Sequence, residues 1–96
     1  MKAKWDFRFT EKSAKDFSKL DKPIQTRIQK QIVKMTHSAD PVKNFDAKPL
    51  NGPLKVFYRY RIGDYRMLCK IKKQEVIIEA IRIAHRRESY LKVPLS

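Results

Sequence analysis

Hydrophobic positions along this chain keep two rhythms. Over residues 4–9, Trp5, Phe7 and Phe9 alternate with Lys4, Asp6 and Arg8. A period of two with aromatic rings on one side predicts a strand with one buried face. Thr10 then offers a side-chain oxygen to cap a helix, and Glu11 stands in the first turn, where the helix dipole favours an anion. Ala14, Phe17 and Leu20 recur at helical spacing, so a short amphipathic helix to about Leu20 is expected. Asp21 as N-cap and Pro23 in the first turn open a second helix. Its apolar stripe is Ile24, Ile28, Ile32 and Met35, with Arg27, Lys30 and Lys34 on a different side. The two helices follow each other closely enough to form a helical hairpin.

From His37 to Pro53 both rhythms stop. Pro41, Pro49, Gly52 and Pro53 punctuate a polar segment, which reads as a loop pinned to the body by Val42 and Phe45. The period of two then returns. Lys55 to Ile62 places Val56, Tyr58, Tyr60 and Ile62 opposite Phe57, Arg59 and Arg61, and Gly63-Asp64 signals a tight hairpin turn. Tyr65 to Ile71 continues as strand. Glu75 to Ala84 carries Val76, Ile77, Ile78, Ile81 and Ile83, a run apolar enough to lie buried on both faces and hence inside the sheet. A polar turn and a short helix are expected after Ala84. The order is β-α-α-β-β-β: a small single α+β domain over residues 1–96. The first strand joins an antiparallel sheet, the helical hairpin covers one face and the other face stays open.

Composition narrows what such a domain can do. The 96 residues carry 23 Lys and Arg against 10 Asp and Glu, a net charge of +13. The excess is spread evenly: residues 1–50 hold 12 basic and 6 acidic side chains, residues 51–96 hold 11 and 4. The charge therefore belongs to the folded body and not to a tail, and it favours encounter with a polyanion. The single cysteine excludes an intrachain disulfide and a Cys-rich zinc site. No apolar run approaches the roughly 18 residues that span a bilayer, and the N-terminus has no apolar signal core. A cytoplasmic protein without membrane partner or cofactor is expected.

Candidate chemistry concentrates in the second half. Alternation gathers Arg59 and Arg61 on one strand face, with Arg66 as a neighbour across the hairpin. Arg82 and Arg86 end the last strand, on the side assigned to Ala80 and Ala84, which would form a shallow floor. Guanidinium forks suit phosphate, and Phe57 and Tyr58 add rings near the same patch. His85 and Tyr90 are proton-transfer candidates beside it. No Gly-rich phosphate loop, HExxH motif, cysteine pair or acidic Mg²⁺ cluster is present, so no metal site is expected. Phosphodiester chemistry on such a surface would rest on the RNA 2′-OH as nucleophile, with acid/base groups and cations around the phosphate. Cys69, between Met67 and Ile71 on its face, reads as a buried inert thiol.

The run from Leu54 to Arg66, LKVFYRYRIGDYR, with Leu50-Asn51-Gly52 upstream, resembles the core motif of the RelE/ParE toxin superfamily. The later run from Ile83 to Tyr90, IAHRRESY, resembles the closing motif of the same superfamily. Tyr58 stands where the superfamily usually has Trp. The resemblance implies the toxin of a type II toxin–antitoxin system. In the RelE branch it implies an mRNA interferase, a ribosome-dependent, metal-independent endoribonuclease hydrolase that cuts mRNA in the A site and stops translation. By position, Arg66 and Arg86 match the phosphate-stabilising arginines of that branch, Tyr90 its C-terminal catalytic tyrosine and Arg59 one of its strand lysines. His85 stands at a basic position, and Phe57 where the branch's best-known member has a further basic residue. The resulting catalytic set is Arg66, Arg86, Tyr90 and His85, with either Tyr90 or His85 as base. The RNA-binding set is Arg59, Arg61, Tyr58, Arg82 and Lys55. The partners implied are a cognate acidic antitoxin, mRNA and the ribosome. The alternatives are a ParE-like inhibitor of DNA gyrase and a non-catalytic basic module for RNA or protein.

Overall fold

The alternating aromatic segment forms strand β1, Asp6–Phe9. In this computed structural model the described residues are 4–45, 47–50 and 57–87. Helix α1 spans Glu11–Ser18 and α2 spans Lys22–His37. Thr10 caps α1 as expected, its hydroxyl oxygen accepting the Ser13 backbone N–H at 3.1 Å. Asp21 occupies the N-cap position of α2 with Pro23 beside it, but its side chain makes no capping bond. The far end of α2 is closed by β1's approach, as the backbone N–H groups of Lys4 and Trp5 both donate to the Thr36 carbonyl.

A 3₁₀ turn, η1 (Lys43–Phe45), and a two-residue strand, β2 (Lys48–Pro49), follow. Strands β3 (Phe57–Ile62), β4 (Tyr65–Lys72) and β5 (Ile77–His85) complete the sheet. Its order is β1-β5-β4-β3-β2. β1 runs parallel to β5, and every other pairing is antiparallel. The α+β architecture is therefore as the pattern predicts, with two amendments. The segment read as pure loop contributes a strand, β2, which pairs Lys48 with Arg59 and Pro49 with Tyr58. Pro49 is tolerated because an edge strand can spare a donor. The run Lys73–Val76 forms the turn before β5, and β5 itself continues through His85. The short helix expected after Ala84 falls on residues outside those described.

The core lies between the helices and one sheet face. Ile28 and Met35 of α2 meet Tyr60, Ile62, Met67, Cys69, Ile71, Ile78, Ala80 and Ile83. Val42 and Phe45 pack against this cluster, as expected. The loop is further pinned by the buried Tyr60 hydroxyl, which donates to the Pro41 carbonyl at 2.8 Å. Burial pushes both this phenol and the Cys69 thiol well above their ordinary pKa, so neither ionises near neutrality.

Helix α1 departs from the simple stripe. Ala14 is exposed and Ser13 is fully buried, because the Ser13 hydroxyl donates to the Ala80 carbonyl at 2.7 Å. The reason lies in β5. Between Leu68/Arg82 and Cys69/Ala80 the register shifts, leaving Ile81 without a partner on β4. β1 also ends, at Phe9 opposite Ala80. The freed edge of β5 is covered by α1: Thr10 bonds the Ile81 carbonyl, and the Asp16 carboxylate accepts the Ile83 N–H at 2.9 Å.

Candidate functional site

Gly63 sets the geometry of the basic face. Its φ of +60° is one that L side chains rarely adopt, and it allows the two-residue turn Gly63-Asp64. A Cβ at this position would also stand 2.8 Å from the Arg27 guanidinium, which α2 lays against the turn. With Ile62 opposite Tyr65, the next pair outward is Arg61 opposite Arg66. On the other side of β3, Arg59 faces Lys48 across the β2–β3 ladder and Leu68 across β3–β4. Cross-strand partners share a sheet face, so Arg59, Arg61, Arg66 and Lys48 occupy the face away from the helices. Like charges set directly across a ladder cost stability.

Among the described residues the paired carboxylates lie elsewhere. Glu11 pairs with Lys15, Glu79 with Lys72, Asp64 with Arg86 and Asp16 with Arg82. Arg59, Arg61 and Arg66 have no hydrogen-bond or ion-pair partner among the described residues. Beside them is a cavity of about 480 Å³ lined by Phe45, Lys48, Arg59 and Arg61. Three cations and one ring converge there among the described residues.

The other predicted residues are placed as follows. Arg86 extends the sheet ladder by one step: its N–H donates to the Asp64 carbonyl at 2.8 Å, and its guanidinium lies 3.8 Å from the Asp64 carboxylate in an exposed, loose pair. It thus sits at the hairpin corner, two residues beyond Ala84, the partner of Arg66. Arg82 is on the arginine face by register, yet Asp16 holds it in two contacts, Nε at 2.7 Å and one terminal nitrogen at 3.3 Å. The register shift also corrects the expected floor: Ala80 is in the core opposite Cys69, and only Ala84 is on the arginine side.

Tyr58 and His85 lie on the opposite face from the arginines. Tyr58 stands opposite Cys69 and packs on the core. His85 stands opposite Tyr65, whose ring it meets edge-on at 5.1 Å, and its Nδ1 accepts the Arg87 N–H at 3.2 Å. That bond places the proton of the neutral imidazole on Nε2. The cause of the His85 correction is plain alternation: Ala84 is on the arginine side, so the next residue along the strand turns to the other face. Phe57 is on the arginine face but buried, with the Lys70 ammonium 5.9 Å above its ring. Tyr90 and Lys55 lie outside the described residues.

Sequence reasoning missed Lys48 and Phe45. Lys48 carried no signal of its own, because the two residues of its strand are too few to show a period. Phe45 was recognised only as an anchor. Among the described residues no group of three or more His, Cys, Asp or Glu side chains could hold a metal ion, and no helix is long and apolar enough to cross a membrane.

Comparison with known proteins agrees with this fold. The archaeal RelE of the RelE–RelB complex from Pyrococcus horikoshii superposes with a TM-score of 0.73 at 21% identity, covering 90% of this chain and 99% of that one. The RelB–RelE antitoxin–toxin complex from Methanococcus jannaschii gives 0.68 at 26% identity, with 90% and 98% coverage. The isolated E. coli RelE toxin gives 0.72 at 18% identity, with 91% and 89% coverage. Among curated proteins none matches significantly in sequence. The family model for the ParE toxin of the parDE type II toxin–antitoxin system matches residues 7–90. The chain therefore belongs to the ParE toxin family, within the RelE/ParE superfamily of type II toxins.

Proposed function

We propose that this toxin is a ribosome-dependent endoribonuclease that cuts mRNA in the A site without a metal. The observation that carries the reading is the unneutralised set Arg59, Arg61 and Arg66 on one sheet face, with Arg86 at its corner. A phosphodiester supplies the negative charge this face lacks. During cleavage the 2′-oxygen attacks phosphorus as its proton is taken up, and the P–O5′ bond breaks as the 5′-oxygen gains a proton. The products are a 2′,3′-cyclic phosphate and a 5′-OH. The guanidinium groups stabilise the charge that builds on the phosphorus-bound oxygens. Tyr90, carried over from the RelE motif, is the proton-transfer group of this reading, and His85, turned toward Tyr65, has no part in it. Lys55, Tyr58 and Arg82 are dispensable to the chemistry in the same reading.

An acidic antitoxin segment laid over the arginine face would relieve the +13 self-repulsion and block RNA at once. The archaeal relatives above were crystallised as RelE–RelB complexes, which supports a partner of that kind here. Messenger RNA and ribosomes as targets imply action in the cytoplasm.

The test is primer extension on translating ribosomes with wild type, Arg66→Ala, Arg86→Ala and Tyr90→Phe. Loss of one charge-stabilising group should slow cutting on the order of 10²-fold or more. Cutting unchanged in all three variants would refute the mechanism. A second reading, gyrase inhibition, is favoured by the ParE character of the family match. It predicts DNA double-strand breaks on expression with mRNA left whole.

A further inference from the structure

The cavity between η1 and β3 is more than a widening of the basic face. We propose that Phe45, Lys48, Arg59 and Arg61 form a nucleotide subsite, in which the Phe45 ring stacks on a base and the cations hold the adjoining phosphate. The proposal rests on the RNA reading above and adds a determinant of sequence preference to it.

Three observations converge. First, the volume, about 480 Å³, falls within the roughly 300–1,000 Å³ of small-molecule pockets. Second, Phe45 lines the cavity while packing against the core. A ring held from behind loses little rotamer freedom on stacking, which favours recognition of a flat base. Third, Arg59 and Arg61 have no partner among the described residues, and Lys48 faces Arg59 across the ladder. The ring decides between anions. A peptide carboxylate would use the cations and leave Phe45 idle. Phe57, the other described ring on this side, is buried beneath Lys70 and offers no alternative platform. The subsite lies on the β2 side of Arg59, whereas Arg66 and Arg86 lie toward the hairpin corner, so it would receive a nucleotide flanking the scissile linkage.

The experiment titrates the four ribonucleoside 5′-monophosphates, ribose 5-phosphate and hexaglutamate into wild type, Phe45→Leu, Phe45→Tyr and Arg59→Gln. Heteronuclear NMR shifts report binding and confirm that each variant is folded. At least one nucleotide should bind about tenfold tighter than ribose 5-phosphate, within the roughly 5- to 150-fold span of base–aromatic stacking. Phe45→Leu should erase that difference, Phe45→Tyr should keep it, and Arg59→Gln should weaken every phosphate ligand. Equal binding of nucleotide and ribose 5-phosphate overturns the subsite. So does hexaglutamate binding as tightly as nucleotides and indifferently to Phe45, which would make the cavity an acidic-protein contact. In parallel, primer extension compares relative cutting among codons. A wild type that cuts nothing sinks the RNase reading while the titration still decides the subsite. A wild type that cuts, with an identical codon profile in Phe45→Leu, sinks the subsite alone.

Discussion

The Asp16 carboxylate grips the Arg82 guanidinium at 2.7 Å and accepts the Ile83 backbone N–H at 2.9 Å, so one side chain of α1 closes the open edge of β5. Both partners are largely shielded, with side-chain exposures of 28% for Arg82 and 16% for Asp16. Asp16→Ala removes the acceptor of a backbone donor and one partner of a partly buried cation together, and should cost roughly 2–3 kcal/mol in urea unfolding. Arg82→Ala should also destabilise, and the double variant should lose less than the sum of the two. Strict additivity would show that the two groups do not act on each other.

The pair Arg61–Arg66 should trade stability for binding. Arg61→Glu turns a like-charge cross-strand pair into an opposite-charge one and should raise stability by about 0.5–1 kcal/mol. On the proposed RNA reading, the same change should weaken binding of single-stranded RNA and flatten its salt dependence by about 0.7 in log–log slope per lost phosphate contact. A thermal melt and a salt titration read the two effects. A variant that melts earlier would show that the repulsion has been relieved elsewhere.

Two turns differ in how well their residues suit them. Val76, β-branched and 40% exposed, holds φ +58° at the end of the β4–β5 turn, a conformation costly for such a residue. Val76→Gly should stabilise by about 1 kcal/mol, since the strain removed exceeds the chain entropy glycine adds. Gly63→Ala should do the reverse by about 1 kcal/mol, because the positive φ opposes a Cβ while the mobile end of the Arg27 side chain can step aside. Denaturant midpoints of the two variants should therefore move in opposite directions.

Asp40 provides a local pH marker. Its carboxylate accepts the Lys43 and Val42 N–H groups at 2.9 and 3.1 Å, and these bonds, that from Lys43 foremost, hold its pKa below the usual aspartate value of 3.8. A lowered carboxylate pKa means that the contribution is complete above the unfolded value and lost as pH falls through the folded one. The midpoint of the pH-dependent shift of the Val42 and Lys43 amide resonances should fall below pH 3.8. A midpoint above that value would contradict the bonding.

Much of this was legible in the chain. The stripes Trp5/Phe7/Phe9 and Ile24/Ile28/Ile32/Met35 name their elements because burial on one face imposes a strict period. Arg59, Arg61 and Arg66 could be placed together because alternation and a two-residue turn fix the register between them. What failed on the floor has one cause. An unpaired Ile81 shifts the phase of β5, so Ala80 falls on the core side while Arg82 and Ala84 keep the arginine side. That extra residue exists because α1 supplies Ser13, Thr10 and Asp16 to satisfy the edge, a tertiary bargain that no local pattern encodes. β2 escaped notice because two residues carry no period, and its strand character comes from β3.

β1 has consequences for how the molecule comes into being. Asp6 at its start pairs with Ile77, and Phe9 with Ala80, so the earliest strand waits for nearly the last. Closure over such a separation is slow relative to helix formation. A nascent chain emerging from its own ribosome therefore carries α1 and α2 without the strand they must share, and the paired arginines of β3 and β4 lack the backing of β5. The arginine face is completed only when synthesis has passed residue 85, so the surface on which the proposed RNA reading depends is among the last parts of the fold to form.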